Sequence, residues 1–299
     1  MRIGILTGSI GWHVQELTRA LAARGHTWMV LPITRLIGCI DREMRFLARD
    51  TRLDTLDAIL VRTIPRGSLE QIIFRMDTLH LLERRGVAVI NSAHTIEQTV
   101  DKYYTSGLLA QAGVPTPRTI TCEHAEDAMD AFDRLGRDVV IKPLFGSMGA
   151  GMVRVSDPDI AYRVFKALDL ERAVYYVQEF IPHAGRDIRA FVIGHRVVAA
   201  MERRADDWRT NATRGARVRS IQLTPELEAL CVRVARIVGA EYAGVDLLPG
   251  QDGRVYVLEI NSIPGWQALQ RTTSVDIAGM IVRYIETRKI SSVSERRTP

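Results

Sequence analysis

The chain is poor in the features that mark several large protein classes. Cysteine is scarce: Cys39, Cys122 and Cys231 are odd in number, far apart and without metal-type spacing. That argues against a disulfide framework or a cysteine-built metal centre and points to a reducing cytoplasm. Nowhere do about 18 apolar residues run together, so no membrane-spanning helix is expected. The opening MRIGILTG breaks at Gly8, too early for a signal peptide, and reads as a first β-strand. Aromatic residues make up only 6%, and they do not interleave with basic residues as a nucleic-acid stacking platform requires. No Ser-His-Asp or Cys-His arrangement presents itself, so any catalysis has to come from another kind of group. Internal repeats and low-complexity segments are also absent.

What is present is a 299-residue chain, 46% hydrophobic, a length that suits two or three compact units rather than one core. The formal net charge of +5 is carried almost wholly by arginine. Such a balance permits nucleic-acid binding, but arginines clustered around a polyanionic small substrate explain it equally well.

The first stretch alternates strand and helix. Arg2–Leu6 reads as a buried strand, Val14, Leu17 and Leu21 as a helical stripe ending at Gly25, and Thr27–Ile33 as a second strand. This β-α-β start predicts a parallel, doubly wound unit. Gly4, Gly8 and Gly11 do not form G-x-G-x-x-G, so no dinucleotide fingerprint is assigned. Trp12 and His13 fall at the first turn, where open sheets receive ligands. Trp12 is a candidate for substrate contact, and His13 reads as helix-start packing. Ala58–Arg62, helix Leu69–Arg85 and Val87–Ile90 complete the unit, with Arg62 and Arg66 as candidates for an anionic substrate or as solvated arginines.

From Glu97 the character changes. A helix carries Lys102 in its first turn, where a cation opposes the macrodipole unless an anion lies nearby. A second helix (123–135) precedes the strand Asp138–Lys142, which runs into the loop PLFGSMGAGMVRV. Gly146, Ser147, Gly149 and Gly151 leave backbone N–H groups free to turn onto phosphate oxygens, and Lys142 can add a point charge. The lysine precedes the glycines, so this is not a Walker loop. Tyr175–Phe180 is a strand ending in Gln178, Glu179, Phe180 and Ile181, a segment able to meet an adenine edge. An antiparallel run from Asp187 and Arg189 turns at Gly194-His195 and reaches Arg203. An arginine-rich loop follows, holding Arg209, Thr210, Asn211 and Arg214. Helix Pro225–Val238 starts after the N-cap Thr224, and a last helix spans Val275–Arg288 before a tail expected to be disordered.

The stretch GVDLLPGQDGRVYVLEINSIPG reads as a β-hairpin around Pro249–Gly253. Folding it back about Gln251 and Asp252 brings Asp246 beside Glu259, with Asn261 on the same face two residues on. Adjacent carboxylates repel. Either a hard divalent cation relieves them, or Glu259 pairs with one of the arginines at a polar sheet edge.

In sum, the chain resembles the ATP-grasp superfamily, and within it the RimK-type α-L-glutamate ligases. The resemblance covers residues 95–288 and rests on KPLFGSMGAGMVRV, VQEFIP with GRDIRAFVIG, VVAAMERR with WRTNATRGA, and AGVDLL with LEINSIPG and TTSVDIAG. It implies an α/β fold: an N-terminal doubly wound parallel-sheet domain followed by the two-part ATP-grasp fold. The implied limits are residues 1–97, 98–181 and 182–290, with a tail at 291–299. It also implies ATP and Mg²⁺ as cofactors, with Mn²⁺ as a substitute. By resemblance Lys102, Lys142 and the Gly146–Gly151 loop meet phosphates. Gln178, Glu179, Phe180, Ile181, Asp187, Arg209, Thr210 and Asn211 meet the nucleotide, and Asp246, Glu259 and Asn261 hold the metal. Arg189, Arg203 and Arg214 become candidates for binding carboxylates or a tetrahedral oxyanion.

The expected partners are L-glutamate and a carboxylated coenzyme, in a cytoplasmic protein, a homo-oligomer being possible, with neither nucleic acid nor membrane. VRTIPRGSLEQIIFRMDTLHLLERRGVAVINSAHTIEQTVDKYYT resembles most the tetrahydromethanopterin:α-L-glutamate ligase branch. A furan or deazaflavin coenzyme, a ribosomal-protein carboxyl terminus and carrier-linked aminoadipate are alternative acceptors. A non-catalytic nucleotide- or RNA-binding protein is the alternative of another class.

Overall fold

The computed structural model describes residues 1–146, 149–210 and 215–295. Strand β1 (Arg2–Thr7) is buried after its first residue, as an inner strand covered on both faces must be. Helix α1 (Trp12–Ala23) turns Val14, Leu17 and Leu21 inward at the spacing of one helix face. After β2 (Thr27–Pro32) come β3 (Leu36–Ile40), β4 (Met44–Ala48) and β5 (Thr51–Arg52), a small antiparallel sheet that the sequence reading did not anticipate. Its strands are short and only partly buried, so they carry no clean two-residue alternation to read.

Strand β6 (Ala58–Val61), helix α2 (Leu69–Arg84), strand β7 (Ala88–Ile90) and helix α3 (Ala93–Val100) follow. The parallel sheet has the order β2-β1-β6-β7. Helix α2 starts in a capping box: Ser68 and Gln71 satisfy each other's backbone N–H groups.

The next elements are α4 (Lys102–Gln111), β8 (Thr119–Cys122), α5 (Ala125–Arg134), β9 (Val139–Lys142), β10 (Val153–Val155), α6 (Pro158–Leu170) and β11 (Tyr175–Glu179). Their strands form an antiparallel sheet, β10-β9-β11-β8, whose core with α5 and α6 holds Phe132, Val139, Phe165 and Tyr175. Helix α6 was also unforeseen, although Asp157 caps it and Pro158 opens it.

The last sheet contains β12 (Arg186–Ile193), β13 (Arg196–Arg204), β14 (Arg217–Ser220), β15 (Tyr242–Pro249) and β16 (Val255–Asn261), in the order β14-β13-β12-β15-β16. Helix α7 (Pro225–Ile237) covers one face, against Ile188, Ala190, Val245 and Leu247. The short α8 (Gln267–Gln270) and α9 (Ile277–Glu295) follow. The helix reaches five residues into the tail expected to be disordered, which corrects that expectation.

Helix α9 packs on α1, placing Ile277, Ile281, Val282 and Ile285 in one core with Ile3, Leu17, Phe191 and Tyr242. Each of these aliphatic side chains contributes roughly 1.5–3 kcal/mol relative to an exposed position. The parallel sheet and the last sheet therefore share a core.

A polar bolt supports the same junction. Asn91 is fully buried; its Nδ2 donates to Tyr242 O at 2.8 Å and Ser262 O at 2.6 Å, and its Oδ1 accepts from Glu241 N at 2.6 Å. Asn91→Ala leaves these peptide groups buried without partners, at about 1–3 kcal/mol each. The variant should lose at least about 2 kcal/mol, read as a lower urea midpoint; an unchanged midpoint would rule the bolt out.

Candidate active site

The period of two along β12, β13 and β15 sorts the last sheet's side chains. On the face away from α7, one end is apolar, with Phe191, Met201 and Tyr242 in the shared core. The other end carries Asp187 opposite Arg203, Arg189 opposite Asp246, and Asp246 opposite Glu259. A regular ladder folded about Gln251 and Asp252 would set Asp246 against Val257 instead. The observed ladder pairs Leu247 with Val257 and Leu248 with Tyr256, which centres the turn on Asp252, and the register shifts between Asp246 and Leu247. Leu258 is the extra residue. It and Glu259 both line the cleft, while Val257 stays in the opposite core. The expected juxtaposition is present, but a bulge the sequence reading missed produces it.

Asp187, Arg203 and Asp246 are each less than 5% exposed. Arg203 grips Asp187 through Nε and a terminal nitrogen at 2.6 Å each and reaches Asp246 at 2.9 Å. Arg189 holds both oxygens of Asp246 at 2.6 Å. Thr210 donates to Asp187 at 2.5 Å, tying the arginine-rich loop to the network. Two carboxylates and two guanidiniums thus cancel in formal charge. Burial pushes Asp246 up, but Arg189 and Arg203 outweigh it and hold the group well below the usual carboxylate range. Burial also raises Asp187, and there Arg203 and Thr210 offset only part of the rise. Arg203 is disfavoured by burial, yet Asp246 and Asp187 raise it further still.

The cleft lies between this face and the antiparallel sheet of β8–β11, about 860 Å³ including its open mouth. It brings together Lys102, Lys142, Gly146, Gly149, Gln178, Glu179, Phe180, Ile181, Asp187, Arg203, Arg209, Thr210, Asp246 and Glu259. Lys102 stands at the start of α4, and its ammonium donates to Leu144 O at 3.2 Å and Gly146 O at 2.8 Å, at the glycine loop itself. Lys142 ends β9 and donates to Gln178 Oε1 at 2.5 Å. Gln178 is buried and anchored in turn on Thr119 and Tyr176. Burial pushes the Lys142 ammonium down to about 8, with Lys102 adding to the effect and Glu259 opposing it. Burial lowers Lys102 as well.

At the far end of the cleft, the Glu179 carboxylate accepts from Arg118 N at 2.7 Å, so its side chain fixes the loop before β8. Phe180 lies under the Arg154 guanidinium, 3.5 Å from the ring centre, and edge-on to Trp208. Trp208 and His183 line the cleft and were not singled out from sequence. The sequence signal for Trp208 is its place in WRTNATRGA, beside Arg209, which is paired with Asp207 at 3.0 Å.

Other expected residues fall elsewhere. Gly151 ends the glycine loop with φ at +75°, and a Cβ there would meet Pro143 at 2.8 Å. Ser147, Asn211 and Arg214 lie outside the described residues. Trp12 packs edge-on against Trp266. Arg66 is exposed and unpaired among the described residues. Arg62 is neither solvated nor offered to a ligand. It is 6% exposed, donates to Tyr242 OH at 3.2 Å and Pro264 O at 2.9 Å, and lies over Trp266. Its expected role at a substrate gives way to that of an internal strut.

The expected metal ligands are hard oxygen donors. Glu259 is 41% exposed, with Arg189 no closer than 3.7 Å, and its Oε1 accepts from Asn261 at 3.0 Å. No cluster of three His, Cys, Asp or Glu suited to a metal occurs among the described residues. With both Asp246 oxygens taken by Arg189 and Arg203, the Glu259 carboxylate and the Asn261 amide are the donors left to fit Mg²⁺, which takes one or two protein carboxylates and completes its octahedron with phosphate and water oxygens.

Comparison with known proteins agrees with this geometry. Residues 99–285 match the RimK-like ATP-grasp domain. The chain belongs to this family. This RimK-like ligase is 34% identical over 288 residues to the tetrahydromethanopterin:α-L-glutamate ligase of Methanococcus maripaludis, covering 94% of this chain and 97% of the relative. It is 33% identical to a probable α-L-glutamate ligase of Maridesulfovibrio salexigens, at 96% and 95% coverage. In fold it is similar to a RimK domain ATP-grasp protein from Sphaerobacter thermophilus (TM-score 0.75, 24% identity, 95% and 99% coverage). It is similar also to the ATP-grasp ligase PsnB complexed with minimal precursor, Mg and ADP (TM-score 0.73, 23% identity, 96% and 98% coverage). The expected α/β ATP-grasp fold and its activity class, an ATP-dependent carboxylate–amine ligase of the α-L-glutamate ligase family, therefore hold. No helix among the described residues is long and apolar enough to cross a membrane.

Replacing Arg203 by Met removes the cation that Asp187 and Asp246 share. Breaking a buried pair from one side costs about 3–5 kcal/mol. The variant should melt correspondingly earlier at neutral pH and recover part of the loss as the pH falls, when one carboxylate takes up a proton. A thermal midpoint like that of the unmodified protein would show the network to be dispensable.

Proposed function

We propose that the protein uses ATP to join L-glutamate to a carboxyl-bearing one-carbon coenzyme of the tetrahydromethanopterin type. The observation that carries the acceptor is that the likeness to the Methanococcus maripaludis ligase spans 94% of the chain, not the catalytic core of residues 99–285 alone. The first 97 residues, proposed as the acceptor-binding unit, therefore contribute to it. Residues 98–181 and 182–290 are proposed as the two halves of the ATP-binding part. A second reading, glutamate transfer to another carboxylate, is favoured by the probable α-L-glutamate ligases of Maridesulfovibrio salexigens and Aliivibrio fischeri, which are 33% and 35% identical.

A carboxylate is a poor electrophile. ATP converts it to an acyl phosphate, and the amine of glutamate then displaces phosphate. Both steps build charge on phosphoryl or acyl oxygens, so preorganised cations count for more than a dedicated nucleophile. In this reading Lys102 and Lys142 hold phosphate oxygens beneath the Gly146–Gly151 loop, including Ser147. Gln178 aims the Lys142 ammonium. Phe180, Ile181 and the main chain of Glu179 receive the base, and Arg209, Thr210 and Asn211 are proposed to contact the nucleotide. Glu259 and Asn261, with Asp246 behind them, would hold Mg²⁺, for which Mn²⁺ is proposed as a substitute. Bound there, Mg²⁺ would supply neutralisation of phosphate charge.

Asp187 keeps Arg203 in place, and Arg189 is set beside Asp246 where its charge can reach a developing oxyanion. Arg214 is proposed for the same task. Trp12 and Arg66 are proposed to face the acceptor. A cytoplasmic location and a homo-oligomeric state complete the proposal.

The test is ADP release from purified protein given ATP, Mg²⁺, L-glutamate and tetrahydromethanopterin, with mass spectrometry of the product. Release should require both glutamate and acceptor, and no ADP above background with any of the candidate acceptors would defeat the ligase reading. Glu259→Gln should abolish turnover in a protein that still melts normally, whereas wild-type turnover would sink the metal assignment.

The Lys142 charge is present below pH about 8 and lost above it. Phosphate binding needs the charged form, so nucleotide affinity should weaken as pH rises through about 8, approaching about tenfold per unit. Lys142→Met should flatten this dependence. Titrations of AMPPNP at neutral and alkaline pH measure it, and a flat profile in the unmodified protein would contradict it.

A further inference from the structure

His13 reads from sequence as helix-start packing, and the structure gives it a second task. It is the second residue of α1, and its Nε2 accepts from Trp266 N at 2.9 Å and Gln267 N at 3.3 Å. Those N–H groups open α8 and would otherwise lack intrahelical partners. An imidazole that accepts at Nε2 is neutral, and burial, with Arg62 adding to it, pushes His13 down to about 4.

The segment His13 holds, Ser262–Gln267, is the stretch directly after Asn261. Other side chains grip it along its length. Arg62 donates to Pro264 O at 2.9 Å, Asn91 donates to Ser262 O at 2.6 Å, and Thr99 Oγ1 lies 2.6 Å from Ser262 Oγ. On its other side the segment meets the candidate chemistry. A Cβ on Gly244 would sit 3.1 Å from Pro264 Cβ and 3.7 Å from Arg189 Nε, so Pro264 and Arg189 flank one bare glycine. Gly244 also pairs with Asn261 across the hairpin. A shift of this segment therefore moves Asn261 or presses on Arg189.

We infer that His13 is a positioning residue: by accepting the two N–H groups at the start of α8, it anchors the Ser262–Gln267 segment and so sets where Asn261 stands for Mg²⁺. The inference rests on the metal reading above. In physical terms, the first βα turn supplies an outer hydrogen bond that fixes a ligand-bearing strand end, an arrangement that in other metal sites changes affinity by about 10–100-fold.

The test needs no acceptor. AMPPNP binding to the full chain is titrated calorimetrically with and without Mg²⁺, for the unmodified protein, His13→Leu and His13→Gln. Without Mg²⁺ the three should bind alike. The strengthening by Mg²⁺ should fall about tenfold in His13→Leu and return in His13→Gln, whose Oε1 can accept in place of Nε2. If His13→Leu melts below the assay temperature, Thr99→Val, which releases the other end of the segment, should show the same loss. A leucine or valine variant with the full Mg²⁺ effect, or a glutamine variant no better than leucine, overturns the inference while leaving the metal reading intact. An unmodified protein whose nucleotide binding ignores Mg²⁺ overturns both.

Discussion

The arrangement on which the site depends is the buried set of Asp187, Arg203, Asp246 and Arg189. Taking ions out of water costs several kcal/mol each, and only close pairing with satisfied hydrogen bonds offsets it. The ladder meets that condition by putting each carboxylate directly across from a guanidinium on the neighbouring strand. Its consequence is directional. With Asp246 saturated by two arginines, the more exposed Glu259 is left as the carboxylate of the hairpin that is free to face a ligand. A polar group that looks like one of two equivalent acids in the sequence is thereby divided into a buried anchor and an open donor.

The cleft opposes this acidic and guanidinium face with an ammonium face. Lys142 and Lys102 reach it from β9 and α4, both lowered by burial. Their charge is costly there without an anion, which is the condition for a site that gains from binding phosphate. The glycine loop beside them and the aromatic end at Phe180 and Trp208 complete a cleft graded from charged to apolar. A nucleotide has the same gradation. The N-terminal sheet takes no part in that lining, but its strand ends hold the segment that follows Asn261.

Much of this was legible in the chain. Binary patterning located the first βα unit, the strand into the glycine loop, the β12–β13 turn at Gly194 and the hairpin, because each has a period that one environment dictates. Motif order carried the family, since several stretches that are weak alone agree in sequence. The small β3–β5 sheet and α6 were missed, the first because its strands are half exposed. Arg62 was misread because nothing in an isolated V-R-T distinguishes a strut under Trp266 from a cation at a ligand.

The residue types and their spacing by themselves determined the first β-α-β unit, the hairpin about Pro249–Gly253, and the order of two lysines, a glycine-rich stretch and two hairpin acids that resembles the family. These follow from local periods of two and 3.6 residues and from the chemistry of side chains a few positions apart. Tertiary structure alone decided which arginine neutralises which acid, that a bulge at Leu258 puts Glu259 on the cleft side, and that His13 and Asn91 grip residues some 150–250 positions away. Such contacts depend on how twisted sheets pack on one another, and no local period encodes that.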